Sequence, residues 1–252
     1  MGSLDGKIAV VTGAGSGIGQ GTARAFVAEG ATVGLLDRNA AAVEETAHQL
    51  GERAYPLVCD VVDEGSVEAA FGEVRERHGR LDVLATYAAV QLVGEDAPVH
   101  DLDFDVWTRT HDVNLRGVFL CCKHGVRLML ESGDGGSVIN CGSPTGLTMC
   151  GAGWHAYSSS KAGVMGLTRV MAADYAKHKI RVNGIVPGTI ETTLTRKLVD
   201  DPETRAQLTA LHPIGRIGTP EDMAGIAVFL ASDASRFATG AHFHVDGGIS
   251  VR

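Results

Sequence analysis

Residues 7–19 read Lys-Ile-Ala-Val-Val-Thr-Gly-Ala-Gly-Ser-Gly-Ile-Gly, and this stretch decides the fold class. The first six residues form a short, continuously apolar run rich in β-branched side chains, which is typical of a strand buried on both faces of a parallel sheet. The glycines then open a predicted helix that runs to about Glu29. A strand, a glycine-rich turn and a helix in this order allow backbone amides and the helix dipole to hold a pyrophosphate. The predicted contacts are Gly13, Ser16, Gly17, Ile18 and Gly19.

The same alternation of apolar strand and helix continues along the chain. Six more apolar runs predict strands at residues 31–36, 54–59, 81–86, 137–141, 180–186 and 241–245. Helices are predicted at residues 39–50, 65–78, 104–130, 157–176 and 220–232. The expected fold is therefore α/β, a single doubly wound Rossmann domain over residues 1–252 with a seven-stranded parallel sheet flanked by helices. Residues 189–213 mix apolar and charged side chains and contain few clear start or stop signals for helices or strands, which predicts a substrate lid.

Acidic side chains follow two of the predicted strands, at the sheet edge where such folds bind ligands. Asp37 ends the second strand and could accept both ribose hydroxyls of NAD while repelling the 2′-phosphate of NADP. An ordinary helix cap is the alternative role for this carboxylate. Arg38 could instead pair with a 2′-phosphate, but Asp37 decides the prediction for NAD. Asp60 and Val61, after the third strand, are predicted to contact the adenine.

Composition narrows the classes of partner and site. The formal net charge is −8 with no run of Lys or Arg, which argues against a nucleic-acid surface and favours small molecules or proteins as partners. The five cysteines form no Cys-x-x-Cys pair and the ten histidines no His-Glu-x-x-His, so no metal site is expected. No apolar run approaches the roughly 18 residues of a membrane span, and residues 1–6 lack signal-peptide features. We expect a soluble, cytoplasmic protein.

Residues 143–161 bring together side chains that suit acid–base chemistry. Tyr157 and Lys161 are four residues apart, so in a helix they project from the same face. An ammonium roughly 4 Å from a phenol would favour the phenolate by about 4 kcal/mol at an effective dielectric of about 20. Tyr157 could then exchange a proton with an alcohol whose oxygen the Ser143 hydroxyl also binds. Taken alone, the spacing more often reflects a buried ring beside a snorkelling amine.

Several motifs occur in a fixed order along the chain. They are Thr12-Gly-x-x-x-Gly-x-Gly19, Asn114 in a predicted helix, Ser143, Tyr157-x-x-x-Lys161, Pro187-Gly188 and the terminal Val245-Asp-Gly-Gly. This ordered set resembles the short-chain dehydrogenase/reductase family over essentially the whole chain. The resemblance implies a catalytic tetrad of Asn114, Ser143, Tyr157 and Lys161. It also implies cofactor contacts from Ala88, Tyr157, Lys161, Pro187, Gly188, Ile190 and Thr192.

The resemblance assigns a role to each member of the tetrad. Tyr157 takes the alcohol proton as hydride leaves for the nicotinamide, and Ser143 holds the substrate oxygen. Lys161 lowers the pKa of Tyr157 and binds the nicotinamide ribose, while Asn114 positions a water that extends the proton path. One segment departs from the family pattern, because residues 86–89 read Thr-Tyr-Ala-Ala where Asn-Asn-Ala-Gly is usual. That difference concerns the adenosine side of the cofactor rather than the tetrad.

The expected function is NAD-dependent interconversion of a secondary alcohol and a ketone on a small or medium-sized substrate, by a homotetramer. An NADPH-dependent 3-ketoacyl-carrier-protein reductase is the alternative enzyme, disfavoured by Asp37 and by the acidic surface. A cofactor-binding sensor without turnover is a further alternative, but a pure binder has no chemical need for a Tyr and Lys pair. Candidate substrate contacts are Gln91, Met149, Cys150, Trp154, His155, Leu194 and Leu198.

Overall fold

A computed structural model describes residues 2–149 and 153–251 of the chain. Seven strands form one sheet in which every neighbouring pair is parallel. Its order is β3-β2-β1-β4-β5-β6-β7, which confirms the predicted doubly wound sheet. The strands are β1 (Ile8–Thr12), β2 (Thr32–Asp37), β3 (Ala54–Val58), β4 (Val83–Thr86), β5 (Gly136–Cys141), β6 (Ile180–Pro187) and β7 (His242–Val245).

Helices cover both faces of the sheet. Those of the described residues are α1 (Gly17–Ala28), α2 (Ala40–Leu50), α3 (Glu64–His78), α4 (Phe104–His111), α5 (Gly117–Ser132), α6 (His155–Tyr175), α7 (Arg196–Val199), α8 (Pro202–Leu211) and α9 (Pro220–Ala231). In the part of the chain that the structure describes, no helix has the length and apolar character that a membrane span requires.

The hydrophobic core is divided by the sheet into two clusters. Ala9 and Val11 of β1 belong to one cluster with Phe26 of α1, whereas Val10 belongs to the other with Phe71 of α3. All three strand residues are fully buried because alternate side chains of a strand point to opposite faces and both faces carry helices. This explains why the strand reads as an uninterrupted apolar run.

The prediction of one continuous helix over residues 104–130 is wrong in its middle. Residues Asp112–Arg116 form a π-helical segment between α4 and α5. The side chain of Asn114 lies at its centre and is tied to the main chain of Val90. A π-helical turn inserts an extra residue, which redirects the side chains it carries, and apolar periodicity alone does not reveal it.

The segment predicted as a lid, residues 189–213, contains α7 and α8. It is attached to the body of the protein by a parallel bridge between Ile190 and Gly218, and the buried ring of His212 links its beginning to its end. One ring nitrogen of His212 bonds to the carbonyl of Leu208 at 2.7 Å, and the other accepts from the amide of Thr189 at 3.1 Å.

Candidate active site

A cavity of about 680 Å³ lies at the carboxyl ends of the strands. It is lined by residues that follow each strand of the sheet, from the glycine turn after β1 to Ile249 after β7. All of the residues predicted to contact the cofactor line it, namely Gly13, Ser16, Gly17, Ile18, Gly19, Asp37, Arg38, Asp60, Val61, Ala88, Tyr157, Lys161, Pro187, Gly188, Ile190 and Thr192.

The glycine turn is packed so closely that side chains would not fit. Gly13 has φ +67°, and a Cβ atom there would lie 2.9 Å from the amide nitrogen of Ala88. A Cβ atom on Gly19 would lie 2.3 Å from the carbonyl oxygen of Gly13. The N-cap residue Ser16 makes no side-chain bond to the first turn of α1, so the amides of that turn remain open to a ligand. The turn therefore fits a phosphate group without steric hindrance.

The Asp37 carboxylate is oriented by backbone amides and still has acceptor capacity. Its Oδ2 accepts from the amide of Gly15 at 3.0 Å, and its Oδ1 accepts from the amide of Asn39 at 3.0 Å. A carboxylate can accept about four hydrogen bonds, so two positions remain for ribose hydroxyls. Asn39, rather than Asp37, caps α2 through the amide of Ala42. The neighbouring Arg38 is exposed and lines the same cavity.

Ser143, Tyr157 and Lys161 meet at the centre of the cavity wall. Ser143 follows β5, and its hydroxyl shares a hydrogen bond of 3.0 Å with Thr145. Lys161 is 2% exposed, and its Nζ donates to the carbonyl of Cys141 at 2.9 Å while lying 5.8 Å from the Tyr157 ring centroid. The lysine is thus beside the tyrosine, as the helical spacing predicts, but its hydrogen bond goes to the backbone of β5.

The pKa of Tyr157 is shifted in the direction opposite to the one that the neighbouring Lys161 predicts. Burial raises the pKa of Tyr157, the Cys141 thiol adds to this, and the Ser143 hydroxyl opposes it. The Tyr157 side chain is partly buried and lines the cavity. Burial also lowers the pKa of Lys161. The expected lowering of the Tyr157 pKa by Lys161 is therefore not found in the free protein, where burial is the largest cause of the shift.

Asn114 stands behind the cavity wall instead of lining it. It is fully buried; its side-chain oxygen accepts from the amide of Val90 at 2.8 Å, and its Nδ2 donates to the carbonyl of Val90 at 2.9 Å. The same Nδ2 donates to the Ser160 hydroxyl at 3.2 Å. Asn114 thus fixes the loop after β4 against the helix that carries Tyr157 and Lys161.

Sequence reasoning missed Asp96, which caps the tyrosine helix from a distance. Its carboxylate accepts from the amides of Ala156 at 3.0 Å and Tyr157 at 2.9 Å, in the first turn of α6. The local N-cap residue, Trp154, makes no side-chain cap. Because Asp96 lies 60 residues before Ala156, no local pattern links the two. The absence of Ser, Thr, Asp or Asn at position 154 is the single signal in the sequence.

The unusual residues after β4 have clear places in the structure. The Thr86 hydroxyl donates to the side chain of Asn140 at 2.8 Å, so it makes the side-chain bond expected of an amide there. Tyr87 turns its ring into the buried cluster around α1, and its amide and that of Ala88 both donate to the Thr12 hydroxyl at 3.0 Å. The strand end therefore remains attached to β1 despite the different residues.

Gln91, Met149, Trp154, Leu194 and Leu198 line the cavity, as predicted for substrate contacts. His155 is exposed at the start of α6 and does not line it, and Cys150 lies outside the described residues. Further lining residues were not foreseen. Leu208 and Leu211 come from the lid, Ile249 from near the chain end, and Thr145 from the turn after β5. Residues 2–149 and 153–251 contain no group of three or more His, Cys, Asp or Glu side chains suited to a metal ion.

Comparison with known proteins gives consistent matches along the chain. A family model described as enoyl-(acyl carrier protein) reductase matches residues 13–250. The 2,5-dichloro-2,5-cyclohexadiene-1,4-diol dehydrogenase of Sphingobium indicum is 38% identical, with 100% of both chains covered. The D-threitol dehydrogenase of Mycolicibacterium smegmatis is 40% identical, with 99% of this chain and 95% of the relative covered. The structure of a 3-ketoacyl-(acyl-carrier-protein) reductase from Brucella melitensis complexed with NADH has a TM-score of 0.91 at 31% identity, covering 98% of this chain and 99% of that one.

Proposed function

The chain belongs to the short-chain dehydrogenase/reductase family, and from that premise we propose that it interconverts a secondary alcohol and a ketone with NAD as the cofactor. Its relatives make it an oxidoreductase that acts on CH–OH groups with a nicotinamide cofactor. The observation that carries the finer proposal is the meeting of the glycine turn, Asp37, Tyr157 and Lys161 in one cavity.

The contacts of the cavity support NAD. The open amides at the start of α1 suit the pyrophosphate, and the free acceptor positions of Asp37 suit two ribose hydroxyls. A phosphate on the same ribose would face a carboxylate at close range, which costs binding free energy. Lys161 retains two N–H groups beyond its bond to Cys141, and these suit the hydroxyls of the other ribose.

The chemistry is divided among the tetrad side chains. Bound NAD supplies the hydride acceptor. Ser143 donates a hydrogen bond to the substrate oxygen, and Tyr157 removes its proton in oxidation and returns one in reduction. Asn114 has an oxygen lone pair beyond its bond from Val90, with which it holds a water that extends the proton path. Residues 189–213 act as a substrate lid within a single Rossmann domain, supported by the leucines they place along the cavity.

One observation favours the second candidate, an NADPH-dependent 3-ketoacyl-carrier-protein reductase. Arg38 lines the cavity next to Asp37, and its guanidinium makes no hydrogen bond or ion pair with the residues that the structure describes. An unpaired guanidinium at this corner could bind a 2′-phosphate. The description of the matching family model also includes an acyl-carrier substrate.

Titration with NADH and NADPH at identical salt tests the choice of cofactor. We expect NADH to bind at least about tenfold more tightly, a difference of about 1.4 kcal/mol. Asp37→Ser should narrow or reverse this preference because Arg38 would then act alone, whereas Glu44→Gln, an exposed change on α2, should leave it unaltered. Equal or tighter binding of NADPH by the wild-type protein would reject NAD and favour the acyl reductase.

Turnover of a panel of secondary alcohols tests the reaction. Tyr157→Phe removes the proton acceptor and is expected to lower kcat by about 10²–10⁴-fold. Tyr175→Phe, a change at the far end of the same helix, is the matched control and should retain activity. Full turnover by the Tyr157→Phe protein would reject the proposed mechanism.

A further inference from the structure

The two sides of the cavity differ in charge. The sheet order places the ends of β3, β2 and β1 on one side and those of β4 to β7 on the other. Asp37, Arg38 and Asp60 follow β2 and β3, so three of the four charged side chains among the described lining residues lie on the side that suits adenosine. The fourth, Lys161, lies on the β4–β7 side.

Lys161 is not available to pair with an anionic substrate. Its amine donates to the carbonyl of Cys141, and its two other N–H groups are occupied by the ribose hydroxyls in the proposed complex. The remaining walls of the β4–β7 side carry no charge: they combine threonine hydroxyls with a set of large apolar side chains, namely Met149, Trp154, Leu194, Leu198, Leu208 and Leu211.

We propose that the substrate is an uncharged, compact alcohol with an apolar body, and that carboxylates, phosphates and sulfonates are excluded. This inference rests on the proposed function, because it concerns the alcohol that reaches Tyr157. An anionic group entering the β4–β7 side would lose its hydration without gaining a cation, which is strongly unfavourable. An apolar body would instead replace water against the leucines of α7, α8 and the preceding loop.

The polar side chains available to additional substrate oxygens on this side are all neutral. The hydroxyls of Ser143 and Thr145 bond to each other at 3.0 Å, and Ser143 is needed at the reacting oxygen. The side-chain amide of Gln91 has no hydrogen-bond partner within residues 2–149 and 153–251, and Gln91 lines the cavity. Gln91 is therefore assigned to a second, neutral oxygen of the substrate.

Three alcohols that share a ring and a reacting carbon test the inference with saturating NAD. They are 3-methylcyclohexanol, cyclohexane-1,3-diol and 3-hydroxycyclohexanecarboxylate. We expect kcat/KM for the carboxylate to be lower than for the methyl compound by about hundredfold or more. Gln91→Leu should lower kcat/KM for cyclohexane-1,3-diol relative to that for 3-methylcyclohexanol by about tenfold, because the second oxygen of the diol loses one hydrogen bond.

A gain-of-charge variant provides the complementary measurement. Leu198→Lys places a cation on the lid and should raise kcat/KM for the carboxylate relative to the methyl compound, whereas Leu198→Met preserves size without charge and should not. Equal use of the carboxylate and the methyl compound by the wild-type protein would overturn the inference while leaving the proposed function intact. If none of the three alcohols is oxidised, calorimetry measures how tightly the three corresponding ketones bind to the complex of the protein with NADH, and these affinities test the inference. Preference for the carboxylate, or no binding of any ketone, overturns the inference. The proposed function fails separately if no Tyr157-dependent alcohol oxidation is found.

Discussion

Tyr157 must lose its proton before it can accept one from an alcohol, and its surroundings oppose that loss. Burial and the Cys141 thiol raise its pKa, while the Ser143 hydroxyl only partly offsets them. Lys161 directs its hydrogen bond to Cys141 instead of the phenol. The free protein therefore holds this side chain as a neutral phenol at physiological pH.

We expect Tyr157 to remain protonated beyond pH 10, the ordinary pKa of a phenol, when the protein carries no cofactor. The reason is that the charged form loses hydration on burial. The difference in ultraviolet tyrosinate absorption between wild-type and Tyr157→Phe proteins measures this titration. Because the basic form accepts the alcohol proton, oxidation should rise with pH while the phenol is still mainly protonated. Ketone reduction uses the protonated form, so it should stay level across the neutral range. A tyrosinate that forms near pH 7 in the free protein would contradict the role given to burial.

Asp96 is expected to position Tyr157 through the first turn of α6. Asp96→Ala leaves the amides of Ala156 and Tyr157 without their acceptor, so the free energy of unfolding should fall by about 1–2 kcal/mol. We also expect kcat to fall more than NADH affinity, because the helix start carries the phenol and lies away from the adenosine side. Asp101→Ala, which removes an exposed carboxylate from the same loop, is the control for urea unfolding and kinetics. A kcat equal to that of the wild-type protein would exclude the positioning role.

The positions of the site residues were predictable where they depend on the spacing of nearby residues in the chain. The Tyr157 and Lys161 pair, the glycine turn and Asp37 all line one cavity because strand and helix ends place them there. The bonds from Asp96 to α6 and from Asn114 to Val90 could not be predicted, since they join residues distant in the chain. The direction of the Tyr157 pKa was also missed, because burial depends on the packed structure.

At the scale of elements, the start of α9 is fastened by a compact ionic cap. Asp222 accepts from the amide of Thr219 at 2.8 Å and from both terminal nitrogens of Arg216, at 2.6 and 2.7 Å. These bonds lower the pKa of Asp222 to about 2, with the Arg216 hydrogen bond the largest cause. Gly218, within the same turn, accepts from the amide of Glu191, so the cap also holds the beginning of the lid.

Asp222→Asn is expected to lower the free energy of unfolding by about 1 kcal/mol at pH 7, since it weakens the cap and the ion pair together. The folded-state pKa lies below the ordinary value of 3.8, so the stabilisation is complete above about pH 4 and is lost as the pH falls through about 2. Urea unfolding at several pH values measures the difference from wild type. Glu221→Gln, an exposed carboxylate in the same turn, is the control. If the difference in the free energy of unfolding between the wild-type and Asp222→Asn proteins disappeared between pH 7 and pH 5, the role given to this cap would be wrong.

Element boundaries followed the apolar periodicity except where a side chain imposed another geometry. The strands and most helices lie close to their predicted positions. The π-helical segment Asp112–Arg116 does not, because the tie between Asn114 and Val90 comes from outside the helix. Residues 189–213 lacked clear punctuation, and they form the short helices α7 and α8 joined by brief turns.

At the scale of the whole molecule, exposed apolar side chains occur on α5, α6 and around β7, among other places. Phe119 and Val170 lie on the outer sides of α5 and α6, and Val170 is 61% exposed. Phe237 and Val251 flank β7, and Phe237 is fully exposed. We propose that these side chains lie in the contacts of the homotetramer suggested by the family resemblance, because a tetramer built from paired dimers needs two different contacts.

We expect light scattering with size-exclusion chromatography to give a tetramer for the wild-type protein. Val170→Glu and Phe237→Glu each add a buried charge to one contact, so each should yield dimers, and the double variant should yield monomers. Val58→Glu changes an exposed apolar residue on β3 and is the control. A monomeric wild-type protein, or a tetramer that survives both changes, would reject this assembly.

The overall architecture was the most predictable property, because the same alternation of strand and helix applies to all seven strands. Alternation of apolar strands with helices leads to a parallel sheet, and parallel crossovers are right-handed, so few topologies remain. The substrate side was less predictable, since Leu208, Leu211 and Ile249 reach the cavity from segments far along the chain. The sequence shows that these residues are apolar, but it does not show that they line the same cavity.

The strand order also fixes the sequence in which the sheet is completed during translation. Once residue 58 has been made, β1, β2 and β3 can pair, but the other side of β1 stays open until β4 at Val83–Thr86 is available. At about 5–20 residues per second, that interval lasts on the order of a few seconds. Later strands then join the same side one at a time. Slow codons between residues 59 and 86 would prolong exposure of an apolar strand edge and promote aggregation of the nascent chain.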